Sequence, residues 1–230
     1  IKHREFAMAA GEMTDAEFQS FLSTIFGHLV THSVDGSIHY VCMDWRHCAA
    51  ILTAAEAHYR EFKNLCVWNK GNAGMGSFYR SKHELVFVFK NGSARHINNF
   101  GLGEGGRYRT NVWDYPGVNT LRPERRADLA LHPTVKPVAL VADAIRDCSK
   151  RNGLVLDPFM GSGTTLIAAE RTGRVAAGIE IDPRYVDVAV RRWTALTARP
   201  AVLAGSDQTF EQVAAARSGI GSDAQPQAKD

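Results

Sequence analysis

The sequence predicts an α/β fold, a mostly parallel sheet with helices on both faces. Three observations carry that reading. Strand-like and helix-like stretches alternate along most of the chain. A glycine-bearing bend, LDPFMGSGTT (156–165), joins a short apolar strand to a helical stretch. The 230 residues are 45% hydrophobic, enough for one sizeable core.

The elements follow in order. Thr14-Asp15-Ala16-Glu17 is a capping box. Phe18, Phe21, Leu22, Ile25, Phe26, Leu29 and Val30 then recur at helical spacing. SIHYVCM (37–43) reads as a strand. Residues 46–62 read as a helix with Ile51, Ala55, His58 and Phe62 on one face. NLCVWN (64–69) and ELVFVFK (84–90) read as strands around a glycine-rich loop, GNAGMGS (71–77). Residues 91–131 hold many Gly, Asn and Arg and keep no period. An irregular stretch that long inside a compact domain is more often functional than idle. Pro137 opens a helix lined by Val138, Val141, Ile145 and Cys148. A strand (154–157), helix (164–172), strand (175–181) and helix (183–199) complete the unit. From Pro200 to residue 230 the chain turns polar and small, and a tail without fixed structure is expected.

Composition narrows the function. No run of about 18 apolar residues exists, so no membrane span is expected. Cys42, Cys48, Cys66 and Cys148 form no C-x-x-C pair, which fits a reducing cytosol and argues against zinc. His83-Glu84 lacks the second His of the zinc-protease motif. Net charge is only +3, yet residues 60–126 carry 12 Lys/Arg against 5 Asp/Glu. Two readings stand: a solvated basic surface, or one that faces a polyanion, most simply nucleic acid.

Three ligands compete for the glycine loop. A nucleoside triphosphate wants a lysine directly after the glycines, and Gly161-Ser162-Gly163-Thr164-Thr165 has none. A dinucleotide wants a third glycine where Leu166 stands, and Asp157 would repel its pyrophosphate. S-adenosylmethionine carries a sulfonium and an ammonium, which a carboxylate attracts. Glu180, at the end of the next strand, can accept ribose hydroxyls from either a nicotinamide cofactor or S-adenosylmethionine. The competing reading of Asp157 and Glu180 is plain helix capping.

DPFMGSGTT with GIEIDP, preceded by HPTVKP, resembles the cofactor half of an amino-group DNA methyltransferase. HPTVKP and the glycine loop lie late, after the basic irregular region, which resembles the permuted β subgroup of bacteria and phages. The resemblance covers about residues 1–199. It implies a Rossmann-like S-adenosylmethionine-dependent fold with circularly permuted motifs and a target-recognition insertion at about 91–131. It implies methyl transfer to the exocyclic amine of a flipped adenine (N6) in double-stranded DNA. Cytosine N4, RNA as substrate, and a catalytically incomplete DNA-binding homologue remain as alternatives. Carbon-5 methylation is disfavoured, since no cysteine follows a proline. The implied cofactor residues are Asp157, Pro158, Phe159, Gly161, Ser162, Gly163, Thr164, Thr165 and Glu180, with His132 and Lys136 near the methionine end. The implied DNA contacts are Lys70, Tyr79, Arg80, Arg95, Arg107, Arg109, Arg122, Arg125 and Arg126, with Asn98 and Asn99 as readers of adenine. Tyr79 stacking on a base stands beside a plain loop reading. Asp44, Trp45 and Arg46 stand between lining the site and capping a helix. Trp113 stands between the cofactor pocket and the core. A cytoplasmic location follows from the resemblance, and a homodimer or a cognate restriction enzyme is compatible with it.

Such enzymes hold the target amine with an Asp/Asn/Ser-Pro-Pro-aromatic motif. The eight prolines here are never adjacent. In the permuted order that motif is expected near or before Ile1, so no catalytic residue is assigned from this sequence.

Overall fold

The computed structural model describes residues 12–76, 78–104, 106–117 and 135–220. Helix α1 (Asp15–Thr31) starts at the predicted capping box, with Thr14 and Glu17 satisfying each other's backbone N–H groups. Strand β1 (Ile38–Met43), helix α2 (Cys48–Glu56) and strands β2 (Glu61–Asn69), β3 (His83–Lys90) and β4 (Val112–Asp114) follow. Then come helix α3 (Val138–Cys148), strand β5 (Leu154–Asp157), helix α4 (Thr164–Thr172), strand β6 (Val175–Gly178) and helix α5 (Pro183–Thr197). Helix α6 (Phe210–Ile220) ends the described chain.

One sheet has the order β1-β3-β2-β4, and β5 pairs with β6 in a second. The α/β class stands, but strand direction is more mixed than the alternation predicts. β3 runs antiparallel to both β1 and β2, whereas β2–β4 and β5–β6 are parallel. The reason lies between β2 and β3: the described residues of 70–82 hold no helix, so the chain returns as a hairpin instead of crossing over.

β3 is buried on both faces. Leu85, Phe87 and Phe89 pack with Leu22 and Phe26 of α1 and Ile51, Ala54 and Ala55 of α2. Val86 and Val88 point the other way, to Trp68, Trp113, Leu140 and Ala144. Burying a Phe, Leu or Ile of this kind contributes about 1.5–3 kcal/mol. Helix α3 then uses its other side, Ala142 and Ile145, against Ala168 and Ala169 of α4. Through α3, helix α4 and the loop before it are packed onto the larger sheet.

Three boundaries differ from the sequence reading. The predicted helix over 46–62 stops at Glu56, and Phe62 is a strand residue paired with Phe89. The helical spacing ran on by coincidence, and cross-strand pairing with the long β3 overrides it. β6 ends at Gly178, three residues early, because the chain turns there to bring Glu180 back over the glycine loop. The polar tail carries α6, with the Arg191 guanidinium 5.3 Å from the Phe210 ring centre.

Candidate functional site

The register puts the last residues of β1 and β2 beside the first residues of β3, Met43 facing Leu85 and Asn69 facing His83. β4 ends alongside, with Asp114 facing Asn69. In open α/β sheets ligands gather along that edge. β5 and β6 likewise run in step to Asp157 and Gly178.

The glycine loop begins at Asp157. One carboxylate oxygen accepts the Phe159 N–H at 2.9 Å and the other accepts the Thr165 hydroxyl at 2.5 Å. Across the loop, Met160 N–H donates to the Ile179 carbonyl at 2.9 Å and Ile179 N–H donates to the Asp157 carbonyl at 3.0 Å. Glu180 accepts the Gly161 N–H at 2.7 Å and the Asp182 N–H at 2.9 Å. Asp157, Gly161 and Glu180, predicted apart in sequence, therefore form one cluster. Both carboxylates brace the loop, and each oxygen keeps a lone pair for a ligand. Phe159, Ile179 and Ile181 are exposed beside them, and Phe159 lies 6.1 Å from the Phe21 ring of α1.

Two loop residues also have packing roles. Gly163 has φ +83°, and a Cβ there would lie 2.8 Å from the Ala189 Cβ. Its missing side chain admits α5. Ser162 is buried and takes Arg192 Nη1 on its carbonyl at 2.6 Å and its hydroxyl at 3.0 Å. Thr164 is buried too, and Pro158 is half-buried.

Lys136 sits 3.3 Å from Glu84, whose second oxygen lies 2.9 Å from Lys70. Burial opposes the Lys136 charge, but Cys42, Glu84 and Asp157 around it hold its pKa well above the ordinary lysine range. Burial pushes the Cys42 thiol up to about 11. A cleft of about 590 Å³ opens beside Lys136, lined by Pro116, Val135, Ile167, Arg171 and Arg192, and includes neither Asp157 nor Glu180. His132 lies outside the described residues.

The predicted DNA contacts divide sharply. Lys70 is held by Glu84 and lies 4.8 Å from the Trp68 ring centre. Arg107 pairs with Asp143 at 3.2 Å and Asp147 at 3.0 Å. Arg109 reaches Asp147 at 3.1 Å and the Tyr115 hydroxyl at 2.9 Å, and lies over Trp113. These two arginines fasten the irregular segment to α3 and do not face outward, contrary to the prediction. Asn98 accepts the Gly101 N–H in a local turn, and Asn99 donates to the Arg146 and Ser149 carbonyls at the end of α3.

Arg95 is exposed at the wrong end of the sheet. Its segment meets Asp35 and Gly36, which precede β1. Arg122, Arg125 and Arg126 lie outside the described residues. In the 71–82 loop Tyr79 is 81% exposed, and Phe78 and Met75 are exposed as well. Arg80 donates to the Ala73 carbonyl at 2.8 Å and staples this loop, with N–H groups to spare. Asp44 caps a 3-10 turn through the Arg46 N–H at 2.8 Å, while Trp45 is half-exposed under the Arg46 guanidinium. Trp113 is core.

The sequence reading missed Glu84, Asp147 and Arg192. The spacing of HELVF marks a strand and an incomplete zinc motif, and neither signals a charge shared by two lysines. Asp143 and Asp147 stand four apart on a helix, a spacing that puts two acids on one face and could have announced the arginines they hold. Among the described residues no group of three His, Cys, Asp or Glu could hold a metal. Nor is any helix there long and apolar enough to cross a membrane.

Known proteins resemble this chain in sequence and in fold. The chain is 31% identical over 167 residues to Type II methyltransferase M2.DpnII of Streptococcus pneumoniae, covering 69% of this chain and 58% of that one. It is 44% identical over 82 residues to the DNA adenine methyltransferase YhdJ of Escherichia coli K12, covering 36% of this chain and 26% of that one. It thus spans little more than half of such relatives at most. Among solved structures, the M1.HpyAVI–SAM complex superposes with a TM-score of 0.63 at 24% identity, over 75% of this chain and 82% of that one. The cytosine-N4-specific PvuII DNA methyltransferase gives 0.66 at 16% identity, over 83% and 75%. Both show a shared Rossmann-like fold. The N6/N4 DNA methylase family profile matches residues 3–191, and the chain belongs to that family.

Proposed function

We propose that this chain binds S-adenosylmethionine on the Asp157–Glu180 cluster and serves methyl transfer to adenine N6 in double-stranded DNA. The observation that carries the reading is the convergence of Asp157, the Gly161 N–H and Glu180 at two adjacent parallel strand ends, beside an exposed apolar rim. Asp157 and Glu180 supply acceptors for a ligand that is cationic and rich in hydroxyls. Phe159, Ile179 and Ile181 supply a surface for a flat base. Lys136, a cation at the same edge, suits the carboxylate end, and His132 belongs with it in this reading.

When bound, the cofactor supplies a methyl group on a positively charged sulfur that leaves readily. Orientation and electrostatics are then what the protein contributes. On the DNA side, Tyr79 and Phe78 offer rings for a base, and the spare N–H groups of Arg80 suit a phosphate. Arg122, Arg125 and Arg126 belong with the phosphate contacts. No Pro-Pro-aromatic motif stands in this sequence, so no residue is assigned to hold the target amine. We place the protein in the bacterial cytoplasm, where its DNA substrate is; pairing with a second copy or with a restriction enzyme is compatible with the Type II relatives.

Calorimetry tests the cofactor: S-adenosylmethionine is expected to bind, and NAD is not. Binding of NAD alone would end the reading. Tyr79→Ala is expected to weaken binding of labelled duplex about tenfold, the worth of one stacked base. Digestion of DNA methylated by the protein separates N6-methyladenine from N4-methylcytosine, the second reading and the specificity of the PvuII enzyme.

A further inference from the structure

We infer that Glu84 is a positioning residue that couples the cofactor pocket to the DNA-facing loop. The inference rests on the proposed function above. Its basis is where the fold puts one carboxylate. β3 is the reversed strand, so its first residues lie at the edge where the neighbouring strands end. Glu84, its second residue, therefore stands at the floor of the site, opposite Trp68 in the ladder.

Two lysines from two different segments share it. Lys70 approaches one oxygen at 2.9 Å, and Lys136 the other at 3.3 Å. Lys70 is the foot of the 71–82 loop: its N–H donates to the Lys82 carbonyl at 2.9 Å, and its carbonyl accepts the Gly117 N–H at 2.8 Å. That loop carries exposed Met75, Phe78 and Tyr79. Lys136 stands at the opening of α3, within the electrostatic field of Asp157 at the tip of β5. All three groups are largely shielded from water, with side-chain exposures of 33%, 30% and 19% for Lys70, Lys136 and Glu84. Screening between them is therefore weak.

Glu84 holds both ammonium groups, while Asp157 lies within reach of the Lys136 charge alone. An anionic group that takes Lys136, such as the carboxylate of an amino-acid moiety, competes with Glu84 for it. Glu84 is then left to Lys70 alone, and the foot of the loop is held in the position seen here. Cofactor binding thus prepares the loop for DNA, and by linkage DNA must tighten the cofactor by the same factor.

The test reads that factor. Affinity for a labelled mixed-sequence duplex is measured by anisotropy with and without saturating S-adenosylmethionine, and cofactor affinity by calorimetry with and without duplex. In the wild type the cofactor is expected to tighten DNA binding about fivefold or more. In Glu84→Gln, whose amide oxygen carries no charge, the ratio is expected to fall to about one. Lys70→Met breaks the same link from the loop side, keeps the Glu84–Lys136 pair, and is expected to abolish the ratio too. A purely structural role would weaken both ligands and leave the ratio intact, and an intact ratio in either variant overturns the inference. So does a wild type that binds both ligands without coupling. A wild type that binds no S-adenosylmethionine overturns the proposed function, and the inference with it. Should Glu84→Gln not fold, Lys70→Met decides.

Discussion

The cofactor half, residues 135–197, and the irregular segment, residues 91–117, treat charge in opposite ways. In the first, Asp157 and Glu180 bond to backbone N–H groups at strand ends and stay beside an exposed rim. In the second, Arg107 and Arg109 turn inward onto Asp143 and Asp147, the latter only 3% exposed. The difference follows from what each region has to build with. The cofactor half has apolar helix faces, so α3 and α4 dock through Ala142, Ile145, Ala168 and Ala169. The irregular segment has one buried tryptophan, Trp113, and few other apolar anchors, so its arginines fasten it to α3. A count of basic residues cannot distinguish an arginine that binds DNA from one that binds its own helix.

Five substitutions press on that contrast. The largest effect is expected at Asp147. Asp147→Ala leaves Arg107 and Arg109 without their buried partner and is expected to cost about 3 kcal/mol or more in urea unfolding. A loss below about 1 kcal/mol would return those arginines to the surface. Next is Gly163→Ala, where a positive φ and the close Ala189 predict a loss of about 2 kcal/mol by thermal melting. A neutral result there would show that α5 yields to the added methyl group.

Glu180→Ala and Asp157→Ala come third. Each removes hydrogen-bond acceptors and is expected to weaken S-adenosylmethionine about tenfold, or about 1.4 kcal/mol. Unchanged affinity in both would confine the pair to bracing the loop.

The smallest effect is a pH dependence. Burial pushes the Glu84 carboxyl up, but Lys136 and Lys70 outweigh it and hold its pKa below the ordinary 4.5. Its contribution to stability is then full above pH 4.5 and lost as pH falls through the folded value. Glu84→Gln is expected to flatten that acid limb of the stability curve by a modest amount, and an unchanged limb would detach Glu84 from the two lysines.

Much of this was legible beforehand, and the reasons differ by residue. The α1 capping box, the α4 boundaries at Thr164 and Thr172, and the α3 start after Pro137 are local signals, set by hydrogen bonds and dihedral limits within one turn. The pairing of Asp157 with Glu180 was readable because a strand–loop–helix–strand unit returns the chain to its own neighbour. Phe62 was misplaced because only the partner strand decides whether a residue after a helix begins a ladder.

By itself, then, the sequence determined where the chain can bend and which side chains must be buried, since these depend on neighbours a few positions away. Only the tertiary structure decided the direction of β3, the inward turn of Arg107 and Arg109, the filling of the space at Gly163 by Ala189, and the sharing of Glu84 by Lys70 and Lys136. Each of these joins residues far apart in the chain, and a charge or a gap takes its role from whatever the fold brings against it.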